Sequence, residues 1–308
     1  MDSRDTHRLF GTINIVSYAA SIMTCILCLL VINGCAEAVI TRVPIEQSYE
    51  LESSDPEELQ AASLTHYYRG ESAVGFHLAE KAHRLAPEDQ GAHFAFTIGM
   101  LQTQQNERIV EEGLDFFRVD ALDVLGRRNE AFELANKLAG EGFIGNLFTL
   151  YNRANRSQEL VEYLEKRWPD LSTFETDHPH SGTGYGLMAQ VALAYSNMGN
   201  SARYGDALSR VERAMSTLSS EGVDNMVFMM ENAVYLALAG SHGDAITQME
   251  AAVKRGLRGN PDLDWSQPIF ASMADTLRFI ALRTLIADKV NEQREILGLD
   301  PIDRMASL

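Results

Sequence analysis

The sequence predicts an all-α fold built by repeating one helix pair, and three observations carry that prediction. Ala233, Gly240, Ala245 and Ala252 place small residues at intervals of seven, five and seven, with Met229, Leu236 and Met249 between them. Two antiparallel helices need such a pattern where they touch, because a bulky side chain at a crossing forces the axes apart. Variants of this spacing recur along the chain, as in a fold made of stacked units. Aromatic residues are only 8% of the 308 residues while alanine and leucine abound, and unbranched side chains lose little freedom in a helix.

The elements follow in order. Leu9 to Ala36 carries no charge, and about 20 apolar residues suffice to cross a bilayer core as a helix. Arg4 and Arg8 precede it, which predicts a cytoplasmic N-terminus and an exported body. Residues 1–35 therefore read as a signal or anchor segment. Residues 36–56, with Pro44 and several Glu and Ser, keep no apolar period and read as a tether. Helical repeats then fill 57–299, and 300–308 form a tail.

The first unit spans Pro56 to Asp89, with Leu59, Ala62 and Ser63 on one helix, Gly75, Ala79 and Ala82 on the next, and Pro87 as a stop. In residues 90–111, Phe94, Phe96, Ile98 and Met100 alternate as a strand would, but the surrounding phase argues for a degenerate helix. A joint follows at Leu125-Gly126, then Glu130-Ala131. The third unit, Leu150 to Trp168-Pro169, comes early by the phase, so it has a trimmed helix or an irregular register. Residues 171–184 read as a loop, from Pro179, Ser181-Gly182 and Thr183-Gly184. The fourth unit holds Val191, Ala192 and Tyr195, then Ala207, Val211 and Ala214, with extra residues placed in its turn between Asn200 and Asp206. The small-residue pattern above forms the fifth.

These units resemble tetratricopeptide repeats. The resemblance implies a right-handed solenoid of helix hairpins. Arg278-Phe279, Leu282-Arg283, Asn291-x-x-Arg294 and Leu297-Gly298-Leu299 resemble the closing helix after such repeats in many bacterial proteins. A C-terminal capping helix with Lys289, Glu292, Gln293, Arg294 and Glu295 toward water is the expectation. The resemblance also implies a concave groove that binds a protein or peptide. Carried across, its lining is Gln60, Leu64, Tyr67 and Tyr68 in the first unit, Leu193, Ser196 and Asn197 in the fourth, and Val227, Met230, Val234 and Leu238 in the fifth. Tyrosine and methionine suit adaptable recognition, although the same residues can pack the next helix. Lysines and arginines are missing from these positions, which disfavours recognition of an acidic tail.

Ile32, Gly34 and Cys35 resemble the end of a bacterial lipoprotein signal, with Cys35 as the lipidated residue. An uncleaved single-pass anchor and a cleaved secretory signal are the alternatives. Each puts the body on the extracytoplasmic side of a bacterial envelope. All three cysteines (Cys25, Cys28 and Cys35) lie in this segment, so the body has neither a disulfide framework nor a cysteine-based zinc site. Cys25-x-x-Cys28 sits inside the apolar run without a redox-fold context.

The net charge is −17, and residues 1–34 sum to zero, so the acidity belongs to the body. A broad nucleic-acid footprint is excluded by that sign. No phosphate loop, H-E-x-x-H or G-x-S-x-G occurs. Asp177, His178 and His180 are the best group of metal-type ligands, but a solvated, proline-bent loop explains them without a metal and is the preferred reading. The sequence thus points to a membrane-tethered adaptor or scaffold with no cofactor and no chemistry of its own. The rival is a small-molecule or metal-binding sensor or enzyme with a site near 171–186.

Overall fold

The computed structural model describes residues 53–178, 184–258 and 267–302, all within the unit Leu51–Leu308. The apolar segment with its three cysteines, the tether as far as residue 52, and His180 lie outside the described residues. No helix among the described residues is long and apolar enough to cross a membrane.

Every regular element described is helical. The first hairpins are α1 (Pro56–Tyr68) with α2 (Ser72–Leu85), α3 (Gln90–Gln102) with α4 (Asn106–Glu112), and α5 (Asp115–Val124) with α6 (Arg128–Gly140). Then come α7 (Gly145–Arg153) with α8 (Ser157–Arg167), and a short α9 (Leu171–Asp177). The chain continues as α10 (Gly184–Asn197) with α11 (Ser201–Ser220), then α12 (Met226–Leu238) with α13 (His242–Lys254). A 3₁₀ segment, Pro268–Met273, leads to α14 (Leu277–Ile296). Helices pack on their neighbours in sequence, and first helices also meet one another: α1 with α3, α5 with α7, α7 with α10, and α10 with α12.

Local chemistry fixes the starts. Asp55 accepts from the Glu57 amide at 3.0 Å ahead of Pro56, and Asp89 accepts from the Ala92 amide at 2.7 Å. Asn225 accepts from the Phe228 amide at 2.9 Å to open α12. Each cap satisfies an amide that the helix leaves without a partner.

One joint closes all six hairpins described. Gly70, Gln104, Gly126, Asn155, Gly199 and Gly240 have φ between 52° and 79°. The amide that follows each (Glu71, Gln105, Arg127, Arg156, Asn200, Ser241) donates to the carbonyl five residues back at 2.8–3.0 Å. This is the left-handed helix stop that glycine adopts at least cost. Gly240 serves this turn and not a helix crossing: a Cβ there would meet nothing within 4 Å. Ala233, Ala245 and Ala252 do occupy the crossings and are wholly buried.

Several expectations change. Residues 90–111 are helical as expected, but they form two helices, α3 and α4, rather than one. Residues 171–184 are not one loop, because Asp170 caps α9 by accepting from the Thr173 amide at 2.8 Å. The early third unit is explained by α7, which has only 9 residues. The extra residues of the fourth unit lengthen α11 to 20 residues instead of its turn.

The larger core runs from Val119 to Val290 and includes Phe148, Phe174, Tyr195, Phe270 and Phe279. A smaller one, around Tyr67, Phe76, Phe96, Met100 and Ile109, serves the first helices, and Leu297 from the far end packs against it.

The two ends of the array meet. The Gln293 amide oxygen accepts from the Ala73 amide at 3.0 Å, and α14 packs on α2. Arg294 donates to the Thr103 and Gln104 carbonyls at the end of α3. Gly256, with φ +111°, lies so close to the α1 terminus that a Cβ would stand 2.3 Å from the Tyr68 carbonyl oxygen. Glu292 and Glu295 face water as expected, but Gln293 and Arg294 are docking residues.

Candidate binding cleft

The row of first helices carries the groove residues implied by the repeat pattern, and the structure divides them. Tyr67, Leu193 and Val234 are buried. The Tyr67 phenol donates to the Ala95 carbonyl at 3.1 Å, and burial pushes its pKa well up. Gln60, Leu64, Tyr68, Met230 and Leu238 are half-buried, and only Ser196, Asn197 and Val227 are exposed. Asn197 donates to the Ser157 hydroxyl at 3.0 Å, and the Leu238 carbonyl accepts from the Tyr204 phenol.

The chain also packs a later segment on α12 itself. The 3₁₀ segment Pro268–Met273 packs on α12, burying Ile269, Phe270 and Met273. A polar chain links the first helices beneath it. Asn152, wholly buried, donates to the Gln190 carbonyl and side chain, both at 2.9 Å, and Gln190 reaches Gln267 at 3.3 Å. A buried amide without such partners would cost about 1–3 kcal/mol.

The opening with recognition chemistry lies on the other side of α12. A cleft of about 670 Å³ is formed by α11, the 220–224 turn, α12 and Gln248 of α13. That volume falls within the range of ligand sites, roughly 300–1,000 Å³. Met215, Phe228 and Met229 give it apolar walls, and Ser216, Ser219, Asn232, Tyr235 and Gln248 bring hydroxyls and amides. Phe228, Asn232 and Tyr235 recur at helical spacing on the face turned away from Val227, Met230, Val234 and Leu238. Met229, expected as filler between helices, lines this cleft.

Arg255 fixes the rim. Its guanidinium grips Asp224 through both carboxylate oxygens, at 3.0 and 2.9 Å, and the Asp224 carbonyl at 2.7 Å. Two parallel charge-assisted bonds give direction as well as attraction. On the wall, burial raises the Tyr235 phenol above its ordinary pKa, and the neighbouring Glu212 carboxylate, which accepts its hydrogen bond, adds to this. A neutral phenol donor beside a carboxylate can orient an incoming cation or amide.

The sequence offered little sign of this site. Its carboxylates and serines sit in α11 and its turn at positions that look like a solvated helix face. The better signal is α12, whose apolar residues run around most of its circumference, beyond what one packed face requires.

Of the metal-type group, Asp177 accepts from the Trp168 indole at 2.7 Å, and His178 lies against the Trp168 and Phe174 rings at 5.2 and 4.9 Å. Burial lowers the His178 pKa, keeping the ring neutral in this aromatic setting. No group of three metal-type ligands occurs among the described residues. Asp177 and His178 are engaged with the Trp168 and Phe174 rings, and His180 lies outside the described residues.

The fold defines a class, an all-helical protein of sequential hairpins with an open cleft between two of them. Compared with known proteins, the chain matches no family model, no curated protein and no solved structure.

Proposed function

We propose that this protein is a membrane-tethered adaptor or assembly scaffold that binds a protein or peptide partner. In this reading its body is a right-handed solenoid of tetratricopeptide-like hairpins, curved until its ends touch. The N-terminal segment holds it on the extracytoplasmic side of a bacterial envelope, through lipidated Cys35 or as an uncleaved anchor. The observation that carries the reading is the cleft between consecutive hairpins, open to solvent and lined by serine, amide, tyrosine and methionine side chains. Such a mixture recognises a chain by its backbone and side chains together.

Placing the partner in this cleft moves the binding face from the first-helix groove, where Tyr67, Leu193 and Val234 are buried. A photo-crosslinking residue at Met229 should then trap a defined partner, whereas one at Val227 should not. Repeated failure at Met229, or equal capture at both positions, ends this placement. The anchor is checked separately by the intact mass of the membrane form. A chain starting at Cys35 with added acyl groups supports lipidation, and one starting at Met1 removes it.

A further inference from the structure

The cleft has a sign. Its lining contains two carboxylates, Glu212 and Asp224, and no lysine or arginine among the described residues. Asp224 is already neutralised by Arg255 at 2.9 Å. The arginines nearest Glu212 on α11 turn elsewhere: Arg210 to Asp206 and Glu175, and Arg213 to Glu175. Glu212 is left to accept from the Tyr235 phenol, a neutral donor that leaves the carboxylate charge in place.

We propose that the cleft takes a lysine- or arginine-bearing segment of a partner protein, with the cationic head at Glu212. This rests on the reading of the chain as a binding protein. Three features select that occupant. Met215, Phe228 and Met229 form an apolar wall suited to the methylene stem of a long basic side chain, whose head stays at the polar edge. Asn232 and Gln248 offer both donors and acceptors, matching the amides of an extended backbone more than a small ammonium ion. The net charge of −17 draws basic segments toward the surface and repels acidic ones.

The test uses the full chain in dodecyl maltoside micelles and a fluorescein-labelled Ala-Lys-Leu-Lys-Ala-Ala amide, read by anisotropy. Glu212→Gln keeps the shape and an acceptor but removes the charge, and should weaken the lysine peptide about tenfold, as expected for losing one charge-assisted contact. Ser216→Trp fills the cleft and should abolish binding with melting unchanged. Glu133→Gln, on the exposed face of α6, should leave the dissociation constant within about twofold, which separates the cleft from general attraction to an acidic protein. The matching peptide with glutamate for lysine should not bind.

Unchanged affinity in both Glu212→Gln and Ser216→Trp overturns the assignment, as does equal binding of the glutamate peptide. Spermidine that binds as tightly as the peptide overturns the choice of a peptide occupant. If a partner is trapped at Met229 while Glu212→Gln leaves the peptide affinity unchanged, the adaptor reading survives and the cationic occupant falls. If Glu212→Gln weakens the peptide while nothing is trapped, the cleft binds cationic groups and the placement of the adaptor's partner there falls.

Discussion

The α3–α4 and α12–α13 hairpins are built on one plan and held by different means. In α12–α13 the joint is a glycine, both helices have 13 residues, and the crossings are filled by buried alanines. In α3–α4 the joint is Gln104, a non-glycine residue at φ 52°, and the second helix has only 7 residues. The weaker hairpin is completed from elsewhere. Arg294 donates to the carbonyls at its joint, and Leu297 covers its core. A repeat unit can therefore lose its local consistency when a distant element restores the missing contacts.

The largest effect that would sharpen this contrast is in the small core. Phe96→Ala removes a ring that is 1% exposed and stacked on Phe76 and His83, and should cost about 3–5 kcal/mol. Overpacking the other hairpin with Ala245→Leu should cost less, about 1–3 kcal/mol. Chemical denaturation of both variants checks the order, and a reversal would mean that the α12–α13 crossing is the tighter constraint.

Arg294→Ala comes next, at about 1–3 kcal/mol, because buried carbonyls lose charge-assisted donors. Amide exchange should speed up in α3 and α4 while α12 and α13 stay protected. Uniform acceleration would show that the two hairpins unfold as one unit and that the contrast has no energetic meaning.

A pH effect follows from His83, which stacks on His93 at 4.8 Å and on Phe96 at 5.0 Å. Burial, then the neighbouring His93, push its pKa below the ordinary value, with Glu112 opposing. Arg108, paired with Glu80 and Glu112, adds another cation to this neighbourhood. An imidazole with a depressed folded pKa binds its proton more readily in the unfolded chain. Its contribution is full above the unfolded value of about 6.5 and is lost as pH falls through that value toward the folded one. The melting temperature of the parent should thus drop more than that of His83→Phe between pH 7 and pH 5. Parallel curves would remove His83 as a cause.

The smallest expected effect is the most direct comparison of the joints. Gln104→Gly relieves a left-handed residue and should stabilise by up to about 1 kcal/mol, whereas Gly240→Ala should destabilise by about 1 kcal/mol. Equal signs would show that the buried Gln104 side chain makes contacts that glycine does not replace.

Much of the helical plan was legible because small residues at crossings and glycines at joints leave fixed intervals. Ala79, Ala82, Ala131, Ala135, Ala207, Ala214, Ala233 and Ala245 were all readable as interior positions, and all are buried. What escaped notice depends on contacts between residues far apart in sequence. Asp170 looks like loop until its cap on α9 is seen. Gln293 and Arg294 look like solvated helix until the first hairpin is placed beside them. The cleft was hidden for the same reason, since its walls come from helices whose outward faces differ in no obvious way from water-facing ones. On α12 the spacing could not show that Val234 is buried while Val227 is exposed.

The meeting of the two ends also limits how this protein can change in length. An open row of hairpins grows or shrinks by whole units, with the disturbance confined to two new neighbours. Here Gln293, Arg294 and Leu297 must arrive over α2 and α3 after a fixed path. Duplicating or deleting one hairpin would carry them past or short of that seat and strip the α3–α4 joint of its donors. The number of units is thereby part of the folding code, and unequal recombination within the repeats would cost the fold its closure where it would otherwise supply variation.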